Sequence, residues 1–565
     1  MATTTDVLVI GAGPTGLTMA NLLTRSGVSV RILDKKPGPT ESSRAIVVHA
    51  KILELFDRLD LTDRMIEEGQ PLQGAQFLSQ GRPAGTLAFL NGRGAKRTPY
   101  PFGLIFGQDQ TEHLLIQTLG EAGVQVEWNT ELLTLEQSQE GTRAHVRHTD
   151  GNEETIEATW LIGADSSHSS VRHALGLGFT GQTYAQTLFV ADLDIEWDLG
   201  PRQGVMDLAR GGFFLFIPML GEGRFRLFGS LPPELADRDT LTLDDVRRIV
   251  NTGSSMHVTL LKERWISIYH THQRMAERFR VGRVFLAGDA AHIHSPAGGQ
   301  GMNTGIGDAF NLAWKLALVV KGQANEKLLA SYEAERIPFA RAILRGSDLG
   351  FQVLGATGSG LQLFKLFVLP QILRLMSSRS FLKRRTFWLF AQLWTRYRKS
   401  PVVAESGSVK HGPRAGDRAP FGLFESGEDG GMSLFKKLRD QDHHLLLFEG
   451  KKPTQSPADV PTLEARVQDL LNEYQVPIHL HAIAAANYSL HDVYRADARA
   501  LFLVRPDGHI AYRGSAEDLA DLRSYLDGLF HKSAGSLREI ETPRVISDSE
   551  QPSSAVVAST ADGAK

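Results

Sequence analysis

At 565 residues the chain is too long for a single core, so two to four domains are expected. Hydrophobic residues make up 42% and charged residues 22%, as in ordinary globular proteins, and a formal charge of −3 gives no electrostatic case for binding nucleic acid. There is no cysteine, which excludes disulfides, iron–sulfur clusters, thiolate zinc sites and a cysteine nucleophile, and fits a cytoplasmic protein.

The first predicted strand, Val7 to Ile10, starts too near Met1 to leave room for a signal peptide. It runs into Gly11, Gly13 and Gly16, and a helix opens at Pro14 and Thr15 with Leu17, Ala20 and Leu23 along one face. A second strand, from Val28, ends at Asp34 with Lys35 beside it, 18 residues past Gly16. In this context glycines let the backbone approach a pyrophosphate, the helix N-terminus faces the anion, and the acid takes a ribose hydroxyl. The same glycine spacing recurs at Gly176, Gly178 and Gly181, but after a helix-like stretch, and reads as a loop.

Residues 1–178 therefore read as the first part of a nucleotide domain. Residues 179–271 change to strands separated by Gly- and Pro-rich turns, an inserted and mostly antiparallel sheet. On it Phe214 and Phe216 alternate along one strand and Tyr269 ends another, side chains suited to stacking an aromatic ligand or to a core. The nucleotide domain resumes over 272–345 with a strand ending at Gly288-Asp289, then a loop containing Gly298 to Gly301 and a long helix to Val320. Peptide N–H groups of Gly301, Met302 and Asn303 at that helix start would face the pyrimidine edge of a flavin. His292 and His294 lack a third clustered ligand, so they read as structural and no metal is assigned.

Residues 346–411 are helical. Their most apolar stretch, Leu361 to Met376, is broken by Lys365, Pro370 and Arg374 and is shorter than the ~20 residues a spanning helix needs; a solvated helix face is the expectation. Residues 412–532 form a small α/β unit with a hairpin at Asp507-Gly508, and 533–565 read as a disordered tail.

Two strand-end motifs aimed at one ligand from about 275 residues apart are what an extended flavin dinucleotide requires. With these motifs in view, the chain resembles the class A flavoprotein monooxygenases with the para-hydroxybenzoate hydroxylase fold. Within them it is most similar to the branch that hydroxylates phenols, polyketides and rifamycin-like aromatics, and the similarity covers residues 1 to about 530. The resemblance implies an α/β fold: a Rossmann-like FAD-binding domain, the inserted sheet as substrate domain, and a thioredoxin-like C-terminal domain, here without redox cysteines.

It further implies that FAD is held at Gly11, Gly13, Gly16, Asp34, Arg44, Gln108, Gly288 and Asp289, with Pro296 next to the flavin's peroxide position; Gly299 in the loop is a further cofactor-binding candidate. A third family fingerprint matches Gly163 to Arg172, including Asp165, but Ser166 stands where the family has glycine. Because that segment is tied to both FAD and NAD(P)H, nicotinamide affinity is the property the departure bears on. The implied reaction is hydroxylation of a phenolic or polycyclic aromatic through a flavin hydroperoxide, consuming NADPH or NADH and dioxygen. No nucleic acid, no transmembrane segment and no general base is expected, and a homodimer is left open. A halogenase or oxidase on the same fold, or a non-catalytic binder of lipophilic aromatics, are the alternatives; the halogenase Trp-x-Trp-x-Ile-Pro signature is absent.

Overall fold

The structure is a computed structural model that describes residues 3–41, 43, 45–72, 74–88, 97–200, 203–295, 298–356, 358–407, 411–425, 428–451 and 459–533. The expected tail, Arg44 and Pro296 lie outside the described residues.

The apolar run ending in Ile10 forms the strand Thr3–Ile10, paired in parallel with Val30–Leu33 on one side and Glu153–Gly163 on the other. Both neighbours shield its edges, and helices cover the faces, so Val7, Leu8 and Val9 are fully buried. Val284–Leu286 extends the sheet beyond Glu153–Gly163, again in parallel, so strands far apart in sequence end side by side. The helices Pro14–Arg25 and Gly301–Val320 pack together within this core.

The second large sheet has eight strands and is antiparallel except where Gly204–Ala209 lies beside Gly74–Ser79. It is not confined to residues 179–271: the hairpin Gly74–Ser79 and Arg82–Ala88 forms one edge, and His292–Ile293 forms the other. Its two 18-residue strands, Phe179–Glu196 and Thr259–Ala276, pair along their length and carry the chain out of the nucleotide domain and back. One face is covered by the helix Leu243–Gly253, which starts at a reciprocal cap between Thr242 and Asp245 and buries Val246, Ile249 and Val250.

A 28-residue helix, Lys327–Leu354, then leads into short helices across 359–390 that run along the outer strands. Leu363, Phe367, Leu375, Phe381 and Leu389 on them are exposed, so the solvated face expected there carries apolar side chains. No helix among the described residues is long and apolar enough to cross a membrane. The C-terminal unit is a five-stranded sheet in which His443–Phe448 is parallel to Ile478–Ile483 and antiparallel to Ala500–Val504.

Candidate cofactor and substrate site

The three glycines of the first motif have three different surroundings. Gly11 adopts φ +105°, and a Cβ there would lie 2.3 Å from the Ala164 carbonyl oxygen. A Cβ on Gly16 would lie 1.9 Å from the Gly11 oxygen. Gly13, at an ordinary φ of −82°, has nothing within 4 Å of its would-be Cβ. The first glycine turns the chain, the third packs helix on strand, and the second borders open space where a ligand backbone can approach. Above that space the helix Pro14–Arg25 presents its unpaired first-turn N–H groups.

Asp34 is nearly buried and already placed: its Oδ2 accepts from Ala12 N (2.7 Å) and its Oδ1 from Lys36 N (2.9 Å). A carboxylate accepts about four hydrogen bonds, so capacity remains for ribose hydroxyls. Lys35 is exposed, and the ammonium group that approaches Asp34 is that of Lys36, at 3.9 Å. Gln108 opens the helix Gln108–Glu121; its backbone N–H donates to Ser43 Oγ and to the Ala45 carbonyl, the residues flanking Arg44. Its side chain donates to the buried Glu112.

Asp165 follows the Gly163-Ala164 strand end that touches Gly11. Its Oδ2 accepts from Val171 N, its Oδ1 is buried with no hydrogen-bond partner among the described residues, and burial pushes its carboxyl up. Ser166 beside it sits at φ +70°, so the position does require the left-handed backbone that glycine adopts most easily.

The second motif reaches the first through Thr15. Gly288, at φ +60°, would place a Cβ 2.6 Å from Thr15 Oγ1, and Gly305 on the Gly301–Val320 helix would place one 2.3 Å from the same atom. Only glycines allow this approach. Asp289 is exposed beside them in the turn Gly288–Ala290; the long helix starts twelve residues later, so Asp289 is not its N-cap.

Gly298 and Gly299 are left-handed and lead into the Gly301–Val320 helix, which starts at Gly301. The Asn303 side chain is wholly used in the fold: it accepts from His49 N and donates to the Val47 and Gly299 carbonyls. What the helix start can offer a ligand is therefore the peptide N–H groups of Gly301, Met302 and Asn303. His49, which no sequence signal singled out, clamps the loop: its Nε2 is 3.1 Å from both the Gly298 and Gly299 carbonyl oxygens, and burial lowers its pKa to about 4, so the neutral ring donates there.

Beneath the loop, Asp308 Oδ2 accepts from Gly288 N (3.0 Å) and lies 2.8 Å from His292 Nε2, while Arg336 Nε donates to Asp308 Oδ1 (2.6 Å). Burial opposes this charge, but Arg336 and His292 hold the carboxyl down to about 2. His294 stacks on His292 and is lowered to about 3 by burial. Both histidines are thus built into the scaffold.

Phe214 and Phe216 do not face this region. They lie in the core between the sheet and the Leu243–Gly253 helix, with Phe189, Leu227, Val246 and Ile249. Side chains alternate along a strand, so their neighbours carry the opposite face: Phe213 and Leu215 group there with Met206, Phe228, Tyr269 and Phe351. Of these, Met206, Leu215, Phe228 and Tyr269 are only half-buried. Ser295 Oγ donates to the Ser347 carbonyl, and Phe351 is four residues, about 6 Å, further along the same helix. That face therefore begins close to the Gly298–Gly301 loop. Arg226 shares it by alternation with Phe228; its guanidinium pairs with Asp192 (2.6 and 2.7 Å) and leaves NH1 buried without a partner among the described residues. A separate cavity of about 260 Å³, lined by Arg25, Trp314, Lys321 and Asp440, lies at the seam with the C-terminal unit and shares none of these residues.

Comparison with known proteins points the same way. The FAD binding domain family matches residues 4–347, and the aromatic-ring hydroxylase C-terminal family matches 412–533. The chain is 33% identical over 541 residues to a 6-methylpretetramide 4-monooxygenase of Streptomyces rimosus, covering 93% of each. It is 36% identical over 363 residues to a pentachlorophenol 4-monooxygenase of Sphingobium chlorophenolicum, covering 63% of this chain and 66% of that one. Among solved structures, the OxyS anhydrotetracycline hydroxylase of Streptomyces rimosus superposes with a TM-score of 0.69 at 30% identity, covering 93% of this chain and 99% of that one. The flavin-dependent monooxygenase PieE, solved with FAD and substrate, shares the fold with a TM-score of 0.76 at 22% identity, covering 93% and 98%.

Proposed function

The chain belongs to the FAD binding domain family of flavin-dependent aromatic monooxygenases, and from that premise we propose that it hydroxylates a fused-ring phenol, held against the sheet face of Phe213, Leu215, Phe228 and Tyr269. The observation that carries this is the convergence at Thr15, where both glycine motifs meet over one open space. FAD held there would supply two-electron redox chemistry with NAD(P)H and the activation of dioxygen.

The protein's share of the chemistry is placement and exclusion of water. Gly13 and the first-turn N–H groups would hold the pyrophosphate, Asp34 a ribose, Asp289 the ribityl chain, and the N–H groups of Gly301 to Asn303 the pyrimidine edge, where a helix start favours negative charge. The carbonyls of Gly298 and Gly299, tied to His49, keep the loop from sagging into the substrate space. An apolar face suits a reaction that is wasted when water enters. Two features support a fused-ring substrate: the run of apolar side chains on that face, and the relative matched over 93% of each chain, a 6-methylpretetramide 4-monooxygenase. Arg226 NH1 is the group proposed to meet a substrate oxygen. Pro296 and Arg44 keep the roles implied by the family resemblance.

Stimulation of NAD(P)H oxidation by a panel of phenols, with product mass, tests the proposal. Fused-ring phenols are expected to accelerate oxidation and gain one oxygen atom; acceleration by single-ring phenols alone would overturn the substrate class.

A further inference from the structure

At one end of the C-terminal sheet, the parallel strands His443–Phe448 and Ile478–Ile483 place His444 opposite His479. Alternation puts His481 on the same face, and the His444 ring lies 5.4 Å from the His479 ring and 5.2 Å from the His481 ring. The turn preceding the first strand adds Asp440 and Asp442. One carboxylate oxygen from each and a ring nitrogen of His479 all lie within 4.8 Å of one another.

His479 Nε2 is 2.9 Å from Asp442 Oδ2 and 3.8 Å from Asp440 Oδ2. A neutral imidazole nitrogen carries at most one proton, so it cannot donate to both carboxylates, and the two carboxylates repel each other. The other oxygen of Asp440 is held from inside. Asp440 Oδ1 accepts from Asp442 N (2.9 Å) and lies 2.8 Å from His444 Nε2, on a side chain only 1% exposed. That nitrogen is thus paired with the Asp440 carboxylate, while His444 Nδ1 lies 2.9 Å from His481 Nε2. A buried imidazole thus points at the back of a carboxylate whose front faces a second carboxylate and a second imidazole. This is how an outer-layer group orients a metal-ligating one.

We propose that Asp440, Asp442 and His479 form a binding site for a divalent transition-metal ion, zinc in the first instance, with His444 as the residue that positions Asp440. Imidazole nitrogen and carboxylate oxygen both ligate zinc at about 2.0–2.2 Å, two carboxylates balance its charge, and a nitrogen ligand favours zinc over magnesium or calcium. Three protein ligands leave the remaining positions to water.

The turn that carries this site also fastens the C-terminal unit to the first domain. Arg439 pairs with Asp57 (2.6 Å), Arg58 donates to the Asp440 carbonyl, and Ser26 Oγ donates to Gln441. Joining the turn to His479 through an ion braces that fastening, so zinc is expected to raise the melting temperature.

The test uses tag-free full-length protein, stripped by chelator and titrated with zinc chloride against a chromophoric chelator, with melting followed in parallel. One zinc per chain is expected, together with a zinc-dependent rise in Tm. His479→Ala should weaken binding about tenfold or more and remove the Tm rise without changing flavin content; Asp442→Asn, isosteric and at the surface, carries the same test should His479→Ala fail to fold. His411→Ala, an exposed histidine elsewhere in the same unit, should bind as the parent does. Absence of stoichiometric binding, undiminished affinity in both site variants, or magnesium binding as tightly as zinc would overturn the proposal.

Discussion

Glycine at three positions of one motif serves three purposes, and substitution separates them. Gly13→Ala meets no neighbour and an ordinary φ, so the FAD-free fold should keep its Tm, or gain about 0.4–1 kcal/mol of stability through the less flexible unfolded chain. FAD occupancy should nonetheless fall, because the methyl group enters the ligand's space. Gly11→Ala and Gly16→Ala should instead destabilise the protein itself, since backbone oxygens stand 2.3 and 1.9 Å away. Tm and flavin fluorescence of the three variants separate these outcomes; equal loss of Tm in all three would contradict the reading of Gly13. Ser166 offers a finer contrast. At φ +70° its strain costs about 1–2 kcal/mol, and replacing it by glycine restores flexibility costing roughly 0.5–1 kcal/mol, so Ser166→Gly should change Tm little. If this segment also serves the nicotinamide, the KM for NAD(P)H should fall; an unchanged KM would confine Ser166 to a backbone role. Motif and spacing marked Gly11, Gly13, Gly16, Asp34 and Asp289 as candidates. His49 was not, because a lone histidine after Val47-Val48 carries no periodic or spacing signal.

At the scale of the element, the sheet strand Gly212–Pro218 shows where pattern reading runs out. Phe213 to Ile217 is apolar at every position, so alternation cannot say which set faces the ligand. The signal lay in another element: the helix Leu243–Gly253, with Val246, Ile249 and Val250 on one side, needs an apolar sheet face and takes that of Phe214 and Phe216. Phe216→Ala should accordingly cost about 3–5 kcal/mol of stability. Leu215→Ala, half-buried on the other face, should lower Tm much less but divert NAD(P)H oxidation to hydrogen peroxide. Product and peroxide yields per NAD(P)H measure this, and coupling unchanged in Leu215→Ala would remove that face from the substrate site. The inserted sheet was legible as sheet, whereas its edge hairpin from Gly74 to Ala88 was not, because pairing between residues 129 apart leaves no local mark.

Across the whole molecule, buried charges join the domains in their interior. Glu335 accepts from Arg505, Lys315, Asn311 and Ser400, and Arg505 also pairs with Asp507 of the C-terminal hairpin. Arg336 links Asp308, under Gly288, to Tyr397, whose ring packs on His509. A C-terminal unit without redox chemistry thus braces the two helices behind the cofactor loop. Such a scaffold is sensitive to acid in a defined order. Burial lowers His49 and His509 to about 4 and His294 and His443 to about 3, so between pH 6.5 and these values the unfolded chain binds protons that the folded chain does not. Stability therefore falls as pH drops below about 6.5. Glu335 and Asp308, each held near 2 against the opposing effect of burial, contribute stability above their ordinary values of 4.5 and 3.8 that is lost as pH falls toward 2. Tm measured against pH should begin to decline near 6.5 and steepen below 4.5; a flat profile from pH 7 to 5 would contradict the neutral buried histidines.

On the proposed function, this fold delivers one atom of dioxygen to an aromatic ring. Incubating the FAD-loaded protein with NAD(P)H, a fused-ring phenol that accelerates its oxidation, and isotopically labelled dioxygen tests that claim most directly. A hydroxylated product carrying one labelled oxygen is expected. Oxygen drawn from water, a halogenated product, or a dehydrogenated product with the label recovered only in hydrogen peroxide would contradict it.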